Sequence, residues 1–255
     1  MNPELTKNRF ARPIDAVAAY VDDALGAQPG DWEPGRIRVV AVMERGLPGW
    51  HGWSVPVWAI GRGEAAVFST THELQADVEA IVNEANSPRQ AFQSPVPERL
   101  FSLVKARYPQ CAQRVGRLLF AERAAPLTGP AAEWKVTRLT RAEAAARAHW
   151  LGQLDWDGFA VLGDDGRILS ACGVKIKHPA VWELAVGTEA GQRNRGMAKA
   201  VVAAATAAVL DAGRVPIYIH DLSNSASSQV ARVVGYRWFG TEFSCDFHPA
   251  AVRIE

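Results

Sequence analysis

The chain has 255 residues, with 28 lysine and arginine residues against 27 aspartate and glutamate residues, and a formal net charge of +1. Hydrophobic residues make up 48% of the sequence and charged residues 22%, which is ordinary for a globular protein with one large or two modest domains. The near-neutral charge argues against nucleic-acid binding driven by electrostatics, because such binding needs a clustered positive field.

Neither a membrane span nor a metal site is predicted. The first ten residues lack the apolar segment of a secretory signal, and the longest near-apolar stretch, 200–210, is shorter than the about 20 residues that cross a bilayer. The cysteines Cys111, Cys172 and Cys245 are too widely spaced for a CxxC metal pair, and the histidines show no H-x-H or H-E-x-x-H spacing. We therefore expect a cytoplasmic protein with reduced cysteines and no metal.

Residues 121–132 predict a domain boundary, because Pro126, Gly129 and Pro130 interrupt an alanine-rich segment there. It divides an N-terminal α/β region, 1–125, from a C-terminal domain, 126–255. In the N-terminal region, the spacing of apolar residues predicts helices at 14–25, 74–85, 97–108 and 112–120, and strands at 37–43, 54–60 and 66–70.

The C-terminal domain shows a regular alternation of strands and helices. Strands are predicted at 134–139, 158–163, 168–177, 182–186, 215–220, 236–239 and 242–247, and helices at 141–150, 196–212 and 225–234. Residues 164–166, Asp-Asp-Gly, form a turn signal between two apolar runs. Helices embedded in a mixed, mostly antiparallel sheet give an α+β fold class.

The segment with the clearest chemical signal is 182–213, where a strand runs into a loop and then into a long apolar helix. The first turn of a helix has unpaired N–H groups and the positive end of its dipole, which together attract anions. Gly196 has no side chain to hinder a phosphate, and Asn194 tolerates a left-handed backbone. Arg193 and Arg195 add positive charge. The alternative is an ordinary helix start with solvated arginines.

Residues 193–198 also match a family motif, the Q/R-x-x-G-x-G/A loop. The sequence resembles the GNAT superfamily of acyl-CoA-dependent N-acyltransferases, in which this loop binds pyrophosphate. A second segment, 220–236, is similar to that family's N-x-x-S-x-x-hydrophobic-x-x-x-x-G-F/Y segment, and the matching residues are Asn224, Ser227, Val230, Gly235 and Tyr236. The resemblance covers roughly residues 133–247 and is clear from about 181 to 240; it implies a GNAT fold for the C-terminal domain.

The resemblance also implies where acetyl-CoA binds. Two neighbouring strands of the family separate, and the pantetheine arm lies between them against the backbone of Val186 and Thr188. The pyrophosphate would be held at the loop and helix start by Arg193, Arg195, Gly196, Met197 and Ala198. Asn224 would contact the arm, with Ser227 and Ser228 on the next helical turn. The implied reaction is direct transfer of an acetyl group to an amine, either a small molecule or a peptide.

The sequence departs from the family at one position. Many members have a tyrosine seven residues after the asparagine, which protonates the leaving thiolate, and here that residue is Ala231. Some branches lack the tyrosine and still transfer acyl groups. Tyr236, or a water molecule near Ser228, is left as an alternative proton donor.

Two residues are candidates for the general base. An amine must lose its proton before it attacks a thioester, and a carboxylate or an imidazole can accept that proton. Glu183 is an acidic residue in an apolar strand, and His220 ends the neighbouring strand. The alternatives are a solvent-facing or ion-paired Glu183, with Lys175 or Lys177 as its partner, and a structural His220.

Two other functions compete with the transferase. A domain that binds CoA without turnover, as a sensor or structural module, fits the missing tyrosine and the ambiguous base. A nucleotide-binding oxidoreductase rests only on residues 61–66, which fit G-x-G-x-x-A but are followed by strand-like rather than helix-like sequence. A hairpin turn is the better interpretation of that segment. The sequence predicts neither the acceptor amine nor an oligomeric state.

Overall fold

A computed structural model of the chain describes residues 10–248. The first nine residues, on which the prediction of no secretory signal partly rests, lie outside the described part. The chain forms two compact units, each assembled from two stretches. The 119–238 unit contains Leu119–Trp238 together with the described residues up to Val17, and the 18–118 unit contains Ala18–Leu118 together with the residues from Phe239 onward. The predicted division at residue 125 stays a prediction.

The 18–118 unit combines strands and helices, as predicted. It begins within the first helix of the chain, at Ala18. The elements in chain order are α1 (Pro13–Leu25), β1 (Ile37–Ala41), β2 (Ser54–Arg62), β3 (Ala65–Thr70), α2 (Gln75–Val82), α3 (Val96–Arg107) and β4 (Ala112–Phe120). The last strand of the chain, β10 (Arg237–Phe247), returns to this unit. The strand order is β1-β3-β2-β10-β4, and apolar side chains of α2 and α3 pack with Phe68 and Phe243 in its core.

The 119–238 unit contains the segments that resemble the acyltransferase family. Its elements are β5 (Thr137–Leu139), α4 (Arg141–Arg147), α5 (His149–Gly152), β6 (Gly158–Leu162), β7 (Ile168–Lys175), β8 (Val181–Thr188), α6 (Met197–Asp211), β9 (Val215–Asp221) and α7 (Ser225–Val234). The strand order is β9-β8-β7-β6-β5, and only the β8–β9 pair among these is parallel. The predicted α+β class with a mostly antiparallel sheet is confirmed.

Helices cover both faces of this sheet. On one face, α6 and α7 bury Val201, Val209 and Val234 against Trp182 and Tyr218. On the opposite face, the side chains of Leu151 and Leu154, at and just after α5, lie directly over Gly173 of β7. The first half of β8 is buried on both sides, and its sequence is apolar apart from Glu183.

Five predicted elements are corrected by the structure. Residues 112–120 form strand β4 instead of a helix, and residues 237–247 form one strand instead of two. The predicted helix 141–150 is divided into α4 and α5 at Ala148, whose φ of −150° and ψ of 120° are extended. Strand β5 spans only Thr137–Leu139 of the predicted 134–139.

Residues 61–66 belong to an antiparallel hairpin. The pairing of Arg62 with Ala65 leaves Gly63 and Glu64 as its two-residue turn. The hairpin prediction is confirmed, and the helix required by a dinucleotide-binding motif does not follow the turn. No helix among the described residues is long and apolar enough to cross a membrane.

Candidate functional site

The candidate site begins where strands β8 and β9 stop pairing. Val181–Leu184 of β8 run parallel to Val215–Tyr218 of β9 in four consecutive pairs. Beyond Leu184 and Tyr218, both strands continue without a ladder pair between them, although both are fully described. The two parallel strands therefore separate toward their carboxyl ends and leave one edge of β8 without a partner strand.

The backbone of β8 presents hydrogen-bonding groups to this gap. On its other edge, β8 is paired antiparallel with β7, where Glu189 N–H donates to the carbonyl of Leu169 and the Ser170 hydroxyl donates to the carbonyl of Gly187. Since backbone groups alternate between the two edges of a strand, those of Val186 and Thr188 face the edge that β9 has left. These are the two residues to which the resemblance assigns the pantetheine arm.

The loop 193–198 lies between the end of β8 and the start of α6. Asn194 adopts a left-handed φ of 63°, as predicted for this turn, and Gly196 caps α6 with a φ of 85°. In the described part of the chain, no protein group accepts a hydrogen bond from the N–H groups of Met197, Ala198 or Lys199. The helix start therefore has free donors, and the side chain of Met197 is buried in the core so that only its backbone is available.

The two arginines of the loop have different surroundings. Arg193 is exposed, and no acidic side chain of the described residues forms an ion pair with it. The guanidinium of Arg195 donates to the side-chain oxygen of Gln192 and lies 5.4 Å from the ring centre of Trp134. The indole N–H of Trp134 also donates to the carbonyl of Arg195 at 2.7 Å. Trp134 therefore holds the loop in place, a role that sequence reasoning missed because the two residues are far apart in the chain.

Gly196 is required by the protein itself. A Cβ at this position would lie 3.0 Å from both the backbone nitrogen and the Cα of Ala131, and the left-handed φ would be strained for any other residue. The sequence-based explanation, that a side chain here would occupy the space of a phosphate, is therefore not needed to account for the glycine.

We predict that Gly196→Val lowers the free energy of unfolding by about 2–4 kcal/mol, because left-handed strain adds to a backbone clash. Gly191→Ala is the matched control, since its Cβ would meet nothing within 4 Å and its φ is not positive. Urea unfolding followed by circular dichroism measures both variants. Equal stability of Gly196→Val and the parent would contradict the packing role of Ala131.

Helix α7 places the second group of predicted residues. The side-chain oxygen of Asn224 accepts from the N–H of Ser227 at 2.9 Å and so caps the helix, while its amide nitrogen has no partner among the described residues. Ser228 is half-buried on the first turn. The hydroxyl of Ser227 lies 2.8 Å from that of Tyr218 on β9.

The two candidate bases lie on opposite faces of the sheet. Glu183 pairs in register with Ile217, and Leu184 with Tyr218, so Glu183 faces away from Tyr218 and His220. Both Glu183 and His220 are buried. The structure therefore does not bring the two residues together, and it places only His220 on the face that carries α7.

Glu183 forms two short ion pairs. Its carboxylate oxygens lie 2.7 Å from Lys175 Nζ and 2.7 Å from Lys177 Nζ. Burial alone would raise the pKa of Glu183, but the two ammonium groups outweigh burial and hold the pKa well below its ordinary value. This is the ion-paired arrangement that the sequence offered as the alternative to catalysis, and a carboxylate in this state is a weak proton acceptor.

His220 has a defined tautomer in its neutral form. Its Nδ1 lies 2.8 Å from the backbone oxygen of Asp221, and a carbonyl oxygen can only accept, so Nδ1 carries the proton. In the described part of the chain, Nε2 has no hydrogen-bond partner and retains its lone pair. A neutral imidazole oriented in this way can accept a proton at Nε2.

Tyr236, one of the expected alternatives for proton donation, lies in the core. Thr206 donates its hydroxyl proton to the carbonyl of Val202, so the Tyr236 hydroxyl, 2.9 Å away, donates to Thr206. Burial raises the pKa of Tyr236 well above its ordinary value. Ala231 is also buried. The hydroxyl of Tyr236 is thus engaged inside the protein, which argues against a role in the reaction.

Comparisons with known proteins find similarity in structure only. The solved structures include a GNAT-family putative acetyltransferase from Novosphingobium aromaticivorans (17% identity, 56% of this chain and 69% of the other, TM-score 0.42). A second is a GCN5-related N-acetyltransferase-like protein from Streptococcus suis (17% identity, 56% of this chain and 66% of the other, TM-score 0.43). A third is a GNAT-family acetyltransferase from Colwellia psychrerythraea (14% identity, 61% of this chain and 74% of the other, TM-score 0.40). No family model and no curated protein matches the chain.

Proposed function

We propose that the 119–238 unit binds acetyl-CoA and transfers its acetyl group directly to an amine. The observation that carries this proposal is the separation of β8 and β9 after Leu184 and Tyr218, beside a helix start with free N–H groups. An extended ligand arm fits between separated strands, because unpaired backbone groups there can replace the missing ladder bonds.

The pyrophosphate of CoA would bind at residues 193–198. The free N–H groups of Met197 and Ala198 point out of the first turn of α6, where the helix dipole favours an anion. Hydrogen bonds from several amides to a charged oxygen are stronger than bonds between neutral groups. Arg193 adds a cation that no described acidic side chain neutralises.

The pantetheine arm would follow the free edge of β8. Its amides can pair with the backbone of Val186 and Thr188 in the manner of a short added strand. The free amide nitrogen of Asn224 and the hydroxyl of Ser228 would contact the arm from the α7 side. This course brings the thioester toward the point where the two strands meet.

We assign the general base to His220. The attacking amine must lose a proton, and Nε2 is an available acceptor because Nδ1–H is held by the carbonyl of Asp221. The amine nitrogen forms a bond to the thioester carbon, the C–S bond breaks, and the proton passes from the nitrogen to Nε2 and then to solvent. Glu183 is the weaker candidate, since its two lysine partners stabilise the carboxylate without a proton.

A CoA-binding module without turnover is the second candidate function. The ion-paired state of Glu183 and the buried Ala231 favour it, because each removes one familiar route for proton transfer. The same loop would bind CoA in both cases. The two functions differ only in whether thiol is released.

The experiment that tests the proposal has two parts. Calorimetry with CoA and with dephosphorylated pantetheine measures what the pyrophosphate contributes, and thiol release from acetyl-CoA is followed across a panel of small amines and lysine peptides. Tight CoA binding with thiol release on an amine supports transfer. Binding without release on any amine supports the module, and equal affinity for the two ligands would remove the phosphate site.

We predict that Arg193→Ala weakens CoA binding about fivefold at low ionic strength, and that the difference shrinks at high salt because an exposed charge is screened. Arg167→Ala is a control, because Arg167 is also exposed but forms an ion pair with Glu189 at 2.8 Å. Titration with CoA at two salt concentrations measures both variants. A loss that does not depend on salt would show that Arg193 does not act through its charge.

A further inference from the structure

The hydroxyl groups of Tyr218 and Ser227 form a pair at the point where β8 and β9 separate. Tyr218 is the last residue of β9 in the parallel ladder, and Ser227 lies on the first turn of α7. Their oxygen atoms are 2.8 Å apart. Tyr218 is 1% exposed, whereas Ser227 is partly exposed.

The direction of this hydrogen bond follows from burial. In the described part of the chain, Ser227 Oγ is the one hydrogen-bond partner of the Tyr218 hydroxyl, so the buried phenol proton has an acceptor only if Tyr218 donates to Ser227. A buried donor without an acceptor would destabilise the folded chain. The proton of Ser227 is then free to point away from the core.

Burial also keeps the phenol protonated. It raises the pKa of Tyr218 to about 12, even though the hydrogen bond to Ser227 opposes the shift. Tyr218 therefore donates at neutral and moderately alkaline pH, and the orientation of the Ser227 hydroxyl does not change over that range.

We propose that the Ser227 hydroxyl donates a hydrogen bond to the sulfur of the leaving CoA thiolate, and that Tyr218 is the positioning residue that directs this donor. The inference rests on the proposed acetyl transfer. When the C–S bond breaks, its electron pair stays on sulfur, the Ser227 hydroxyl stabilises that charge by a hydrogen bond, and the thiolate takes a proton from solvent after release. The pair thus stands in for the hydroxyl that Ala231 does not supply.

The first test needs no acceptor, because CoA itself is the probe. The ultraviolet absorbance of the thiolate gives the pKa of the CoA thiol bound to the full chain, with the unliganded protein subtracted. The protein's own cysteines interfere little, since burial raises the pKa of Cys111, Cys172 and Cys245. We expect Ser227→Ala to raise the pKa of the bound thiol by about 1, because a hydrogen bond to the charged form is lost.

A double-mutant cycle tests the positioning role. Ser227→Ala is expected to lower the rate of thiol release from saturating acetyl-CoA by about 10-fold or more, and Tyr218→Phe by a few-fold, with unchanged affinity for CoA. Tyr218→Phe should have no further effect once Ser227 is alanine, because Tyr218 acts through Ser227. Tyr236→Phe is the matched control, since it removes a buried tyrosine hydroxyl that bonds only to Thr206 in the described structure.

The outcomes separate this inference from the proposed function. Failure to bind CoA, or no thiol release above the uncatalysed rate, overturns both. Binding and release with an unchanged thiol pKa in Ser227→Ala overturn the inference alone. A loss of CoA affinity equal to the loss of rate would assign Ser227 to binding of the arm, and additive effects of the two substitutions would overturn the role of Tyr218.

Discussion

Replacement of His220 by asparagine is expected to lower the rate of acetyl transfer by roughly 100-fold, the usual scale for loss of a general base, while CoA affinity is unchanged. Asparagine retains an N–H donor for the carbonyl of Asp221, which in the parent accepts from Nδ1 at 2.8 Å, but it has no equivalent of the free Nε2. The rate is measured with the best amine of the panel, at saturating acetyl-CoA.

Glu183→Gln is the comparison variant for this experiment. It leaves Lys175 and Lys177 without their shared carboxylate, so we expect lower stability but a transfer rate within a few-fold of the parent for the folded protein. The reverse result, a collapse for Glu183→Gln and a normal rate for His220→Asn, would assign the base to Glu183. Circular dichroism establishes the folded fraction of each variant before rates are compared.

The helix starts and strands around the candidate site could be read from the sequence because their signals are local. Helix α7 occurs at the predicted residues, 225–234, since Asn224 caps one end and Gly235 ends the other. Helix α6 begins after Gly196 for a similar reason. A cap and an apolar period are contained within a few neighbouring residues, and no distant partner is needed to recognise them.

Strand β4 could not be identified in this way. Its apolar residues Val115, Leu118 and Leu119 have the spacing of a helix face, yet the segment is paired with β10 from the far end of the chain. A distant strand decides the conformation here, because its backbone groups satisfy those of residues 112–120. The sequence contains one signal against a helix here, Gly116, because glycine is unfavourable in a helix interior.

Strand β10 also depends on a distant residue, and the sequence predicted two short strands in its place. Gly240 lies between the two strands predicted at 236–239 and 242–247, but the observed strand continues through it. A Cβ at Gly240 would lie 2.8 Å from the carbonyl oxygen of Gly61 on the paired strand, so the glycine permits a close approach inside the sheet. The sequence carries the glycine but not the neighbour that explains it.

For the candidate site, residue types were predictable and contacts were not. The sequence predicts that Glu183 and His220 lie in neighbouring strands. Only the register, which pairs Glu183 with Ile217, shows that their side chains face opposite sides of the sheet. The contact between Tyr218 and Ser227 depends on how α7 packs against β9, which no local pattern encodes. Lys175 and Lys177 were named as partners of Glu183, and the structure shows that both bind it.

Replacement of Ala198 by proline is expected to weaken CoA binding by about 10- to 100-fold. Proline removes one backbone N–H from the proposed pyrophosphate site, and a hydrogen bond to a charged group is worth about 1.5–3 kcal/mol. The helix should persist, since proline is tolerated in a first turn where the N–H group has no intrahelical acceptor. Ala226→Pro is the matched control, because Ala226 has the same second position in α7 and its N–H also has no acceptor among the described residues. Calorimetric titration with CoA, with circular dichroism of each variant, measures the effect. If a folded Ala198→Pro protein binds CoA as tightly as Ala226→Pro does, the amides at the start of α6 do not hold the pyrophosphate, and CoA binding at residues 193–198 loses its physical basis.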